Sequence, residues 1–127
     1  MEFAGQRVLI TGGTRGIGYA VAERFAQAGA EVLLNYQRDD ETAASAVAAI
    51  EASGGRSRAL RADIGDADAI GAMFADIRAA GPRLDILVAN AAATAFKPLM
   101  DVGPHHVAFE SRLAHSLLTL SPDCGAR

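Results

Sequence analysis

The chain has 127 residues, half of them apolar, with a net charge of −3 and 13 glycines; that is one domain with enough apolar matter for a true core. Its scattered arginines give no electrostatic track for nucleic acid, and no run approaches the roughly 18 apolar residues of a membrane span. The single cysteine, Cys124, has no partner for an internal disulfide, and residues 1–5 carry neither the basic nor the apolar part of an export signal, so a cytoplasmic setting is expected.

Strand and helix patterns alternate along the chain. Arg7 to Thr11 reads as a short strand. A helix follows from about Gly16, with Ile17, Val21, Phe25 and Ala28 in helical phase and Gly29 as its stop. Glu31 to Tyr36 is the second strand, and Asp40 to Ser53 an alanine-rich helix with Ala43, Val47 and Ile50 on one face. The third strand spans Ser57 to Ala62. The next helix starts at Asp66, carries Ile70, Met73, Phe74 and Ile77 as an apolar stripe, and ends at Gly81-Pro82. Asp85 to Asn90 is the fourth strand. Pro104 to Leu120 reads as a last helix, with Val107, Leu113, Leu117 and Leu120 in phase and a break at Ser121-Pro122. The alternation implies an α/β fold with a parallel sheet covered on both faces.

The run Thr11-Gly12-Gly13-Thr14-Arg15-Gly16-Ile17-Gly18 joins the first strand to the first helix. Glycine lets backbone turn tightly, take positive φ and approach a ligand with no Cβ in the way. The helix start behind it presents unpaired N–H groups and the positive end of the dipole, which together bind phosphate. A nucleotide held through its pyrophosphate is therefore expected, with Gly12, Thr14, Arg15, Gly16, Ile17 and Gly18 at the contact. The spacing is neither G-x-G-x-x-G nor a P-loop, since no Gly-Lys-Ser/Thr follows.

The end of the second strand reports on the nucleotide. An acid there accepts hydrogen bonds from the ribose of NAD, whereas an arginine pairs with the 2′-phosphate of NADP. The chain reads Asn35-Tyr36-Gln37-Arg38, with no acid at the strand end. Arg38 and Arg15 are the two cations within reach, and bidentate arginine–phosphate pairing is strong and selective. Asp39 and Asp40 stand close enough to be read as the NAD acid, but their place before Glu41 at a helix start fits capping. The balance favours NADP(H) over NAD(H).

The spacing Thr-Gly-x-x-x-Gly-x-Gly resembles that of the short-chain dehydrogenase/reductase family. Two further sites resemble the same family. Asp63, in Ala62-Asp63-Ile64, matches the position that binds the adenine ring, although an acid there also suits opening the turn before the next helix. Val88-Ala89-Asn90-Ala91-Ala92 is similar to the family's Asn-Asn-Ala-Gly segment, with alanine in place of the first asparagine and of the glycine. The resemblance adds Asp63, Ile64, Asn90 and Ala91 to the cofactor contacts. It covers residues 1–103, and 104–127 read as a divergent helix and tail of one half-domain.

The family resemblance implies a Rossmann-type doubly wound sheet, here incomplete at about four strands, and hydride transfer involving a carbonyl, alcohol or enoyl substrate. It also implies a catalytic serine and a Tyr-x-x-x-Lys. The tyrosines here are Tyr19 and Tyr36 and the sole lysine is Lys97, so that motif does not occur in the 127 residues. No catalytic residue is assigned, and the chain alone is expected to be inactive. The order 3-2-1-4-5-6 makes the third strand an edge, where Arg56, Arg58 and Arg61 guard against edge pairing. It makes the fourth interior, so self-association through that strand and the last helix is expected. His105, His106 and His115 lie near Asp101, Glu110 and Ser111 at helical spacing, which a solvated helix surface explains, and no metal site is assigned. The alternative function is a non-catalytic nucleotide-binding or regulatory module working with a partner chain, or an enzyme using groups near Asn90, Thr94 and Lys97.

Overall fold

The computed structural model describes residues 2–81 and 83–90. The expectations for Pro82, Ala91, Ala92, Lys97, the 104–120 helix, its histidines and Cys124 lie outside the described residues. Within them, the elements are β1 (Arg7–Ile10), α1 (Gly16–Gln27), β2 (Glu31–Tyr36), α2 (Asp40–Ala52), β3 (Arg56–Arg61), α3 (Ala67–Ala80) and β4 (Ile86–Val88). All strand pairs are parallel, as the alternation implied, and the sheet order is β3-β2-β1-β4, the incomplete doubly wound arrangement that the family resemblance implied.

Alternating side chains divide the core into two layers. Val8, Ile10, Val32 and Leu34 face α1 and α2, where Ala22, Ala26, Ala46 and Ile50 meet them. Leu9, Leu33 and Leu60 face α3, which contributes Ile70, Met73, Phe74 and Ile77, the four positions read from its stripe. β1 and β2 are buried on both faces, hence their near-continuous apolar runs.

The α1 face is a correction. Gly18, Ala22 and Ala26 are the buried positions, whereas Ile17 is 77% exposed and Val21 and Phe25 only pack at the margin. Small residues let α1 lie close to the sheet just behind the glycine loop, and that closeness outweighs the larger apolar stripe. Val47 in α2 is likewise half-buried while Ala46 takes the core position.

Helix starts follow their caps. Asp39 accepts from Thr42 N–H at 3.0 Å, the capping role expected of it. Asp66 accepts from Asp68 N–H at 2.9 Å, so α3 begins one residue later than expected. Among the three arginines of β3, Arg56 and Arg58 are exposed on the edge as foreseen. Arg61, exposed as well, pairs with Asp40 at 3.3 Å and donates to Gln37 O at 3.2 Å, tying β3 to the turn after β2.

At the opposite, N-terminal end of the strands lies Arg7. Its Nη1 donates to the carbonyls of Ile77, Gly81 and Arg83 at 2.9–3.2 Å, and its Nε lies 3.5 Å from Glu31. The Arg7 amide also donates to the Asp85 carboxylate at 2.9 Å, and Asp85 N–H returns a bond to Arg7 O.

Candidate cofactor-binding site

The C-terminal ends of the strands open into a groove of about 690 Å³. In open α/β sheets this is where ligands bind. The groove gathers Gly12, Thr14, Arg15, Ile17, Arg38, Asp63, Ile64 and Asn90, eight of the residues singled out from the sequence. It also gathers Asn35, Tyr36, Gln37 and Asp39 from the end of β2. Gly16 and Gly18 shape the loop rather than line the groove, and Ala91 lies outside the described residues.

Backbone geometry explains the loop. Gly12 and Gly16 have φ of +64° and +61°, the left-handed region where a side chain is strained. Gly18 has a different reason: a Cβ there would collide with Gly12 O and sit 2.6 Å from Asn90 Nδ2. Thus Gly18 is the hollow into which the loop and β4 close.

Asn90 makes that closure. Its Nδ2 donates to Thr11 O and Gly12 O, each at 3.3 Å, and its N–H donates to Thr11 Oγ1 at 3.0 Å. Asn90 follows the strand rather than ending it, and its amide holds the β1 exit in place for the loop.

The start of α1 is open. Its N-cap, Arg15, is extended and makes no side-chain cap, and its first turn holds no acid. The caps of α2 and α3 are both filled by aspartates. No backbone bond takes up the N–H groups of Gly16, Ile17 and Gly18 among the described residues. Thr14, Arg15 and Ile17 place this open helix start on the groove, an arrangement that a pyrophosphate fits.

The end of β2 is fixed from below and above. Asn35, 2% exposed, donates through Nδ2 to Leu60 O at 3.3 Å and Ala62 O at 3.1 Å, binding β2 to the exit of β3. Tyr36 Oη donates to Asp40 Oδ1 at 2.7 Å, a bond that raises the phenol pKa above its ordinary value, with burial adding to it. The sequence offered Asn35 only as a missing acid, and its polar character inside an apolar strand was the signal of this role. Asp63 accepts from Gly65 N–H at 2.8 Å, so it shapes the turn after β3 while lining the groove; α3 itself is opened by Asp66.

Neither the Arg15 nor the Arg38 guanidinium makes a hydrogen bond or ion pair with another described residue. Asp39 lies beside them. Its carboxyl is held below the usual range first by the Thr42 bonds, with the Arg15 charge adding to the effect.

The residues present therefore fit a dinucleotide: free amides at the α1 start for its pyrophosphate, a loop turned tightly by positive-φ Gly12 and Gly16, and two cations on the groove, Arg15 at the loop and Arg38 after β2, with no ion-pair partner among the described residues. Comparisons with known proteins agree. The chain is 41% identical over 99 residues to 1-cyclohexenylcarbonyl-CoA reductase of Streptomyces collinus, covering 78% of this chain and 35% of that protein. Among solved structures, a metagenomic short-chain oxidoreductase in complex with NADP superposes with a TM-score of 0.81 at 32% identity, covering 98% of this chain and 58% of the other. A 3-oxoacyl (acyl-carrier-protein) reductase from Agrobacterium tumefaciens with NADP bound gives 0.78 at 34% identity, over 98% and 50%. The chain thus spans about a third of the curated relative and about half of the solved ones. The family model described as short chain dehydrogenase matches residues 6–113, and on that match the chain belongs to the short-chain dehydrogenase family.

Proposed function

We propose that this chain is the NADP(H)-binding half-domain of a short-chain oxidoreductase that transfers hydride to or from a carbonyl, alcohol or enoyl substrate. The observation that carries the reading is the pair of unpaired guanidiniums, Arg15 and Arg38, on one groove with Tyr36 where an acid would hold the ribose of NAD. The NADP-bound structures of relatives support it. When bound, the nicotinamide supplies the hydride. The residues of this chain bind and orient it: Gly12 to Gly18 hold the pyrophosphate, Asp63 and Ile64 border the adenine, and Asn90 borders the inner groove. With no Tyr-x-x-x-Lys in its 127 residues, the chain alone lacks the tyrosine that the family uses as general acid for the substrate oxygen. A cytoplasmic location belongs to the same reading.

Titration with NADPH and NADH, followed by cofactor fluorescence, tests the proposal. NADPH is expected to bind more tightly, and Arg38→Ala to weaken it by about 1.5 kcal/mol, the low end for an exposed charge-assisted bond. NADH affinity should change little. Equal affinities in the unmodified chain would overturn the assignment.

A further inference from the structure

We propose that Asp39 is a specificity-determining residue of this groove, a fixed negative charge that weakens the grip of Arg15 and Arg38 on a 2′-phosphate and keeps the preference for NADPH over NADH small. The inference rests on the cofactor reading above and deepens it.

Asp39 shares the groove with both arginines. It cannot swing aside when a phosphate arrives, because both oxygens are engaged: Oδ1 accepts from Thr42 N–H at 3.0 Å and Oδ2 from Thr42 Oγ1 at 2.7 Å. The backbone on either side is strapped too. Arg61 donates to Gln37 O, and Asp40 is held by Tyr36 and Arg61. The carboxylate is ionised at neutral pH, since the Thr42 bonds and the Arg15 charge all favour its charged form.

Capping does not require that charge. The cap needs an acceptor oxygen, which asparagine or serine supplies equally well. Helix α2 already carries Asp40 and Glu41 in its first turn, so its dipole is served without Asp39. The charge is surplus to the fold, and it stands against an incoming dianion. A free ribose hydroxyl carries no charge and meets no such opposition.

The test uses the full chain with Asp39→Asn and Asp39→Ser, both of which keep a capping oxygen; circular dichroism checks that the helices remain. Calorimetric titration with NADPH, NADH and 2′,5′-ADP gives the readout. Both variants are expected to bind NADPH and 2′,5′-ADP about tenfold more tightly at low salt, with the gain shrinking as ionic strength rises. NADH should be nearly unchanged. An unchanged NADPH affinity in both folded variants overturns the inference and leaves the cofactor reading standing. So does an equal gain for both cofactors, or a loss of NADH binding, which would make Asp39 a ribose ligand. If the unmodified chain and both variants, all folded, bind neither NADPH nor 2′,5′-ADP, the inference and the cofactor reading fall together.

Discussion

Asn35 shows how a single polar residue can organise a site without being aimed at the ligand. Its side chain lies in the α3-facing layer, where an amide is costly unless its hydrogens are placed. Donation to Leu60 O and Ala62 O meets that need and fastens the turn that carries Asp63 and Ile64. Asn35→Ala should destabilise the fold by about 2 kcal/mol, seen as a lower urea midpoint, because two carbonyls lose a partner. NADPH and NADH affinities should fall together, since the variant touches neither arginine. A fall confined to NADPH would assign Asn35 to the phosphate side. None of this was legible in the sequence beyond the oddity of an asparagine in Val32-Leu33-Leu34-Asn35. The partners lie 25 and 27 residues away, on β3 and just past its end.

Elements were far more legible than contacts. Periodicity and glycines located each strand and helix within the described residues to within a few positions; the order 3-2-1-4 came with the family resemblance, and the charged third strand fitted its place at an edge. The face of α1 was not legible, because a stripe of large apolar residues reads more strongly than a row of small ones. What decides between them is distance to the sheet, set by Gly18 against Gly12 and Asn90. The closure of Asn90 on the β1 exit depends on the register Ile10↔Val88, which joins residues 78 apart and leaves no local trace. Gly18→Ala and Gly16→Ala therefore make a discriminating pair. Gly16→Ala meets nothing within 4 Å and suffers only its positive φ, a cost of about 1 kcal/mol. Gly18→Ala must displace Gly12 O and Asn90, and should abolish nucleotide binding while costing more in thermal stability. Similar melting temperatures and retained binding in both would show that the loop relaxes around an added methyl.

At the scale of the molecule, the described sheet has two unlike edges. β3 carries Arg56 and Arg58, charges that discourage another strand. β4 is a three-residue apolar strand bonded to β1 alone among the described residues, and each of its residues is half-buried. That edge predicts self-association of the isolated chain. Size-exclusion chromatography should show species larger than the 13.1 kDa monomer; a clean monomer counts against it. In the same preparation, nicotinamide absorbance should show no hydride transfer above buffer with carbonyl or enoyl substrates. Steady turnover lost on Lys97→Ala would reverse that expectation.

Arg7 gives the design a long-range sensitivity. It gathers carbonyls from the end of α3 and the turn after it and, with Asp85, stitches the entry of β4 to the entry of β1, at the strand ends opposite the groove. Asn90 reaches the glycine loop only because β4 runs in register beside β1. The nucleotide loop is thus aligned from its distant end, like a lever set by its fulcrum. A disturbance at Arg7 would travel along two short strands and emerge as a misplaced Gly12, in a protein whose every groove residue is intact.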